Sequence, residues 1–216
     1  MDSVVEKMKV VHSHNPENWA LKLWRYYPID YNPDNFHSNT SWWLDKIPKL
    51  GNEIMEVGTW SGLAIIWLRL NFPEKDIIGL DINLQVVHSA KTRVYYSGLD
   101  IPVYLGDGFN LEGFEDKSKD VIFHDGLIEH FTLEERIKLL TEHLRVAKYV
   151  LFTLPTKSCY VPNTGYGDEL WESKEFWIDF VSNNFIIKKD ENNNDEIFEK
   201  NGCIGFIIEG VKNGTS

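Results

Sequence analysis

Glu53-Ile54-Met55-Glu56-Val57-Gly58-Thr59-Trp60-Ser61-Gly62-Leu63-Ala64-Ile65-Ile66 reads as a strand, a glycine-bounded turn and the start of a helix in one run. Residues 53–57 are a short, mostly apolar run that ends at Gly58, which suits a strand. Leu63 to Leu70 is apolar on nearly every side, which suits a buried helix. Between them Gly58 and Gly62 permit backbone conformations that other residues resist. Nineteen residues beyond Gly62 stands Asp81, closing the next short apolar run, Asp76-Ile77-Ile78-Gly79-Leu80-Asp81.

Outward from this run the alternation continues. Leu84, Val87, Ala90 and Val94 recur at helical spacing. Pro102 to Leu105 and Asp120 to Phe123 are a third and a fourth strand. Thr132 and Glu135 form a T-x-x-E capping box for a helix reaching about Val146. Lys148 to Leu154 is a fifth strand and Ser173 to Asn183 a helix. Phe185 to Lys189 and Cys203 to Gly210 are two last strands with no helix between them. Strand–helix alternation requires parallel strands covered on both faces. Two strands joined by a loop alone must be antiparallel. The expected fold is therefore α/β, a doubly wound Rossmann-like sheet of seven strands with one antiparallel strand. The tract Glu191-Asn192-Asn193-Asn194-Asp195 is expected to be the hairpin loop of that pair.

Residues 1–50 differ in texture. Val4 to Val11 suits a short amphipathic helix. Trp19, Trp24, Tyr26, Tyr27, Tyr31, Phe36, Trp42 and Trp43 are interleaved with Pro16, Pro28, Pro33 and Pro48. The prolines break long helices. We expect residues 1–50 to form an aromatic-rich helical cap or lid over a domain of residues 51–216. The other reading is that the rings pack an N-terminal layer onto the core.

The 216 residues carry 22 Lys and Arg against 33 Asp and Glu, a net charge of −11. That disfavours duplex nucleic acid and anionic membrane, which both need clustered cations. No apolar run approaches a membrane span, and the N-terminus is not a signal peptide. Two cysteines, Cys159 and Cys203, are too few for a disulfide framework or a zinc cluster. A cytoplasmic monomer or homodimer is expected.

In an open parallel sheet, ligands sit beyond the carboxyl ends of the strands. Those ends carry Glu56 to Gly62, then Asp81-Ile82, then Gly106-Asp107-Gly108, then His124-Asp125-Gly126-Leu127-Ile128-Glu129-His130-Phe131. An acid about 20 residues past a glycine turn suits ribose hydroxyls, and Asp107 could accept from an exocyclic amine. Singly, each residue also fits a cap, a turn or a surface acid. The turn is not a dinucleotide fingerprint, because Trp60 stands where the middle glycine is needed. It is not a phosphate-binding P-loop either. A nucleoside without a pyrophosphate is the ligand this pattern suits.

Taken in order, Glu-Val-Gly-Thr-x-Ser-Gly, Gly-Leu-Asp-Ile, Gly-Asp-Gly and Asp-Gly-Leu-Ile-Glu-His-Phe resemble the class I S-adenosylmethionine-dependent methyltransferases. The nearest resemblance is to the small type 11 group, over about residues 50–154. Trp60 departs from the commoner glycine. The resemblance implies the cofactor S-adenosyl-L-methionine and the strand order 3-2-1-4-5-7-6. It implies that Glu56 orients the glycine turn or reaches the methionine amine, and that Gly58, Thr59 and Gly62 wrap the methionine end. It further implies Asp81 on the ribose, Ile82 on adenine, Asp107 and Gly108 at its edge, and His124, Asp125 and Gly126 beside the sulfonium.

For the acceptor the sequence offers less. The slot after strand 4 lacks the Asn/Asp-Pro-Pro-aromatic of base amino methylation. Cys159 lacks the preceding proline of cytosine C5 methylation. Strand 5 runs into Leu154-Pro155-Thr156-Lys157, without the Asp-Asn pair of a metal-dependent catechol-type site, so no metal is expected. A hydroxyl or amine acceptor needs a base within reach, and imidazole titrates near neutrality. His130 is the first candidate, with His124 and Glu129 behind it. As a capping or packing residue before Thr132, His130 would instead be structural. Tyr31, His37, Tyr166 and Trp171 are candidate acceptor contacts, the last two from the long connection 161–171. The expected activity is metal-independent transfer of a methyl group to an oxygen or nitrogen of a small molecule or peptide. The rivals are a non-catalytic interaction protein on this scaffold, a nucleotide-sugar or NAD enzyme, and an RNA methyltransferase.

Overall fold

The structure is a computed structural model that describes residues 32–39, 41–158 and 172–212. One sheet runs in the order β3-β2-β1-β4-β5-β8-β6, with β7 also on β8. Its strands are β1 Glu53–Val57, β2 Asp76–Asp81, β3 Val103–Leu105, β4 Lys119–Asp125, β5 Ala147–Pro155, β6 Phe185–Ile187, β7 Ile197–Lys200 and β8 Cys203–Val211. β1 to β5 are parallel neighbours, and β8 is antiparallel to β5, β6 and β7.

The expected strand order holds, with one strand more than expected. The edge beside β8 is split in two. β6 pairs with Ile208 to Val211 and β7 with Cys203 to Phe206. Residues 188–196 bulge out between them, closed by a Lys189–Asp195 bridge. The Asn-rich tract is the tip of this excursion and not the hairpin loop we expected. The hairpin turn is Asn201-Gly202, both left-handed at φ +53° and +80°. Such a pair matches the twist of the strands it joins.

The helices are α1 Pro33–Asn39, α2 Leu63–Asn71, α3 Leu84–Tyr96, α4 Leu133–Val146 and α5 Lys174–Asn184, with 3₁₀ turns at Trp42–Lys49 and Ile128–His130. One face of the sheet is covered by α1, the first 3₁₀ turn, α2 and α3 through Trp43, Ile47, Ile66 and Val87 on Ile54 and Phe123. The other carries α4 and α5 through Leu140, Leu144 and Trp177 on Val150 and Phe152. Ile54, Met55, Val121, Ile122 and Phe123 have no exposed surface, as strands covered on both faces require.

Residues 41–50 are integral to this core. Trp43 meets the Phe123 ring edge-on at 5.9 Å, and Trp42 meets Phe198 at 5.7 Å. In the described part of the N-terminal segment, Trp43, Leu44 and Ile47 pack onto the core. Val4 to Val11 and the aromatics before Tyr31 lie outside the described residues.

Candidate functional site

The carboxyl ends of three neighbouring strands, β2, β1 and β4, lie together at one edge of the sheet. At β1 the chain turns through Gly58, Trp60 and Gly62, at φ +76°, +40° and +73°. Trp60 holds a backbone conformation that a bulky side chain disfavours. The turn is fixed from below. The amides of Gly58 and Thr59 donate to the Leu80 carbonyl at 2.8 and 3.2 Å, and Thr59 Oγ1 donates to it at 3.1 Å. Thr59 lies directly over Gly79, where an added Cβ would come within 2.7 Å of Oγ1. Gly62 then opens α2 with no side-chain cap.

Asp81 closes β2 and is almost buried. Its Oδ2 accepts from the Trp60 amide at 3.3 Å and its Oδ1 from the Asn83 amide at 2.9 Å. Each oxygen keeps a second lone pair. Burial pushes the carboxyl up to about 6 against those amides. Glu56, inside β1, is 5% exposed, and its Oε2 has no hydrogen-bond partner among the described residues. Burial raises its pKa well above the usual range, and the charges of Asp125 and Asp81 add to that.

Asp125 ends β4. Thr153 Oγ1, directly across on β5, donates to its Oδ1, and Ser41 Oγ donates to Oδ2 at 3.4 Å. The surrounding protein pushes this carboxyl up to about 6, although the residue is exposed. The sequence places Glu56, Asp81 and Asp125 on three separate strands, and the fold gathers them into one acidic cluster.

Other expected residues fall variously. Ile82 is 40% exposed. Asp107 Oδ1 accepts from the Phe109 amide at 2.9 Å. Gly108 threads between β1 and α4, where a Cβ would lie 2.8 Å from Val57 and 3.4 Å from His143 Nε2. Gly126 is left-handed at φ +64°, and its amide donates to the Thr153 carbonyl at 2.9 Å.

His130 ends the second 3₁₀ turn, half-buried at the edge of the strand-4 loop. Glu129 is buried, and Arg136 of α4 donates to its carbonyl at 3.5 Å and to that of Ile128 at 3.0 Å. His124 differs from expectation. Its ring is wholly buried, stacks on Phe152 at 5.4 Å and faces His143 at 5.5 Å, with neither nitrogen hydrogen-bonded among the described residues. Strand alternation aims it at α4, away from the cleft, so it cannot meet an acceptor. His37 stacks on Trp67 of α2 at 4.0 Å, and its Nε2 lies 3.2 Å from Asp45. Those partners belong to the helical layer. Tyr31, Tyr166, Trp171 and Cys159 lie outside the described residues.

Sequence reasoning missed Ser41, Thr153 and Arg136. Only the β4–β5 register could have flagged Thr153, and nothing local marks the other two. Among the described residues no group of three His, Cys, Asp or Glu could hold a metal ion, and no helix is long and apolar enough to cross a membrane.

Comparison with known proteins follows the same lines. Residues 54–149 match the family described as methyltransferase domain. No curated protein matches the chain. Among solved structures, a SAM-dependent methyltransferase from Aquifex aeolicus shares 19% identity over 88% of this chain and 97% of its own, with a TM-score of 0.63. Magnesium protoporphyrin IX methyltransferase from Synechocystis, with bound SAM, shares 17% over 79% of this chain and 74% of its own, at 0.54. The [4+2]-cyclase SpnF shares 17% over 67% of this chain and 56% of its own, at 0.55.

Proposed function

We propose that this chain, a class I S-adenosylmethionine-dependent methyltransferase, passes a methyl group to an oxygen or nitrogen of a small molecule or peptide without a metal ion. The observation that carries the reading is the left-handed turn beside three gathered carboxylates, one with a buried oxygen that lacks a partner among the described residues. A nucleoside that bears an amine and a positive sulfur suits that arrangement. When bound, the cofactor supplies an electrophilic methyl group on a cationic sulfur.

The chain's own residues would bind and orient it. Asp81 would take the ribose hydroxyls with its spare lone pairs. Glu56 would meet the amino group, and Gly58, Thr59 and Gly62 would wrap the methionine end with backbone. Ile82 would cover one adenine face, with Asp107 and Gly108 at its edge, and Gly126 would let the strand-4 loop approach closely. His130 at the rim is the proposed proton acceptor for a hydroxyl. Tyr31, Tyr166 and Trp171 remain proposed acceptor contacts. Positioning and exclusion of water supply most of the rate in such a site.

The same fold serves a cyclase, so fold alone does not decide the chemistry. The experiment is a screen of amines, alcohols, carboxylates and peptides with the methyl donor, reading S-adenosylhomocysteine. Turnover with at least one nucleophile is expected. Tight donor binding without turnover on any class would contradict methyl transfer and favour an interaction protein.

A further inference from the structure

We propose that Asp125 selects an amine-bearing acceptor, docking its ammonium group and taking its proton. The inference rests on the methyltransferase reading and deepens it, moving Asp125 from the cofactor to the acceptor.

The three carboxylates are not equivalent. Asp81 is buried and tied to two backbone amides of the glycine turn and the β2 loop. Glu56 lies deepest, inside β1 between β2 and β4. Asp125 alone of the three is open to the cleft. Its partners are on the other side, Thr153 on β5 and Ser41 in the N-terminal layer. Two hydroxyls, one on each oxygen, fix the carboxylate while leaving each oxygen a free lone pair. The cofactor expectations concern β1, β2 and the loop after β3, whereas Asp125 turns toward β5.

Charge sets the ligand class. Asp125 and Asp81 both lie near enough to Glu56 to repel its charge, and Glu56 Oε2 has no partner among the described residues. With Glu56 on the cofactor amine and Asp81 on the ribose, Asp125 is the carboxylate left to the acceptor. A carboxylate or phosphate would meet a like charge there, and a neutral hydroxyl would leave that charge unbalanced. An ammonium group balances it and donates to Asp125. An ammonium nitrogen has no lone pair and must lose a proton before it can attack. In that step an N–H bond breaks, its electron pair stays on nitrogen, and an O–H bond forms on Asp125. The transfer leaves the total charge of the site unchanged, and the surrounding protein, which pushes the Asp125 carboxyl up, favours its protonated form.

The test loads the protein with S-adenosylhomocysteine and titrates 2-phenylethylamine, 2-phenylethanol and phenylacetate, read by ligand-observed NMR. The amine should bind tightest, and Asp125→Asn should weaken it at least tenfold while changing S-adenosylhomocysteine affinity less than threefold. Thr153→Val, which frees the carboxylate without removing it, should give a smaller loss and covers the case of an unfolded Asp125→Asn. Equal binding of the three probes, or amine binding indifferent to both variants, overturns the proposal. A tenfold loss of S-adenosylhomocysteine in Asp125→Asn overturns it too, returning Asp125 to the cofactor. Failure of the wild type to bind S-adenosylhomocysteine strikes the methyltransferase reading itself.

Discussion

Two sets of titratable residues pull stability in opposite directions with pH. Glu56, Asp81 and Asp125 have folded-state pKa values above their unfolded ones. Each binds its proton more tightly when folded, so its contribution is full below the usual carboxylate range; that of Asp81 and Asp125 is lost as the pH rises through about 6, and that of Glu56 as the pH rises through its own raised value. Glu56→Gln, which removes that charge, should raise stability at pH 8 by on the order of 1 kcal/mol and leave it nearly unchanged at pH 4. Thermal melts at the two pH values check this. The buried rings of His124 and His143 behave conversely. Burial holds His143 down to about 4 and His124 well below 6.5. Gly108 lies beside His143 but too loosely for a hydrogen bond, and offsets only part of that. Their contribution is full above pH 6.5 and falls as the pH drops toward 4. His124→Phe should keep the stack on Phe152 and flatten the stability profile between those values in urea titrations. A profile as steep as the wild type's would contradict it. At this scale the sequence was legible for Asp81, whose distance from the glycine turn marked it. It was not legible for His124, because burial depended on which face of β4 the residue met.

At the scale of elements, local signals served well where local physics decides. The T-x-x-E box at Thr132 is present, with Thr132 Oγ1 accepting from the Glu135 amide and Glu135 returning to the Thr132 amide. Thr132→Ala should cost about 1 kcal/mol, read as a lower urea midpoint with an unchanged slope. A change under a few tenths would mean that packing alone holds α4. The split edge strand shows where reading failed. The long polar tract drew attention as a hairpin loop, while the two residues of Asn201-Gly202 carried the stronger turn signal. Whether residues 188–196 bulge out is set by pairing with β8 on both sides, which no local pattern records.

At the scale of the whole molecule, parallel strands followed from helix–strand alternation and one reversed strand from the absence of a helix before β8, while the strand order came with the methyltransferase resemblance. The place of the N-terminal layer did not follow. Trp43 and Ile47 pack on Phe123 and its neighbours, about 80 residues away in sequence, and only the folded sheet brings them together. Trp43→Ala should therefore cost about 3–5 kcal/mol, as for a buried large aromatic. A loss below 1 kcal/mol by chemical denaturation would restore a detachable lid. Ser41, in the same layer, reaches Asp125, so this layer couples the core to the cleft. The net charge of −11 suits an acceptor that arrives as a cation or a neutral molecule.

The central claim is that the cleft at the ends of β1, β2 and β4 holds an S-adenosyl nucleoside. Calorimetric titration with S-adenosylhomocysteine tests it most directly, with NAD as comparison and Asp81→Ala as variant. The account predicts micromolar binding of S-adenosylhomocysteine, none of NAD, and a loss of roughly tenfold or more in the folded variant. Absence of binding in the wild type, or equal affinity in Asp81→Ala, would contradict it.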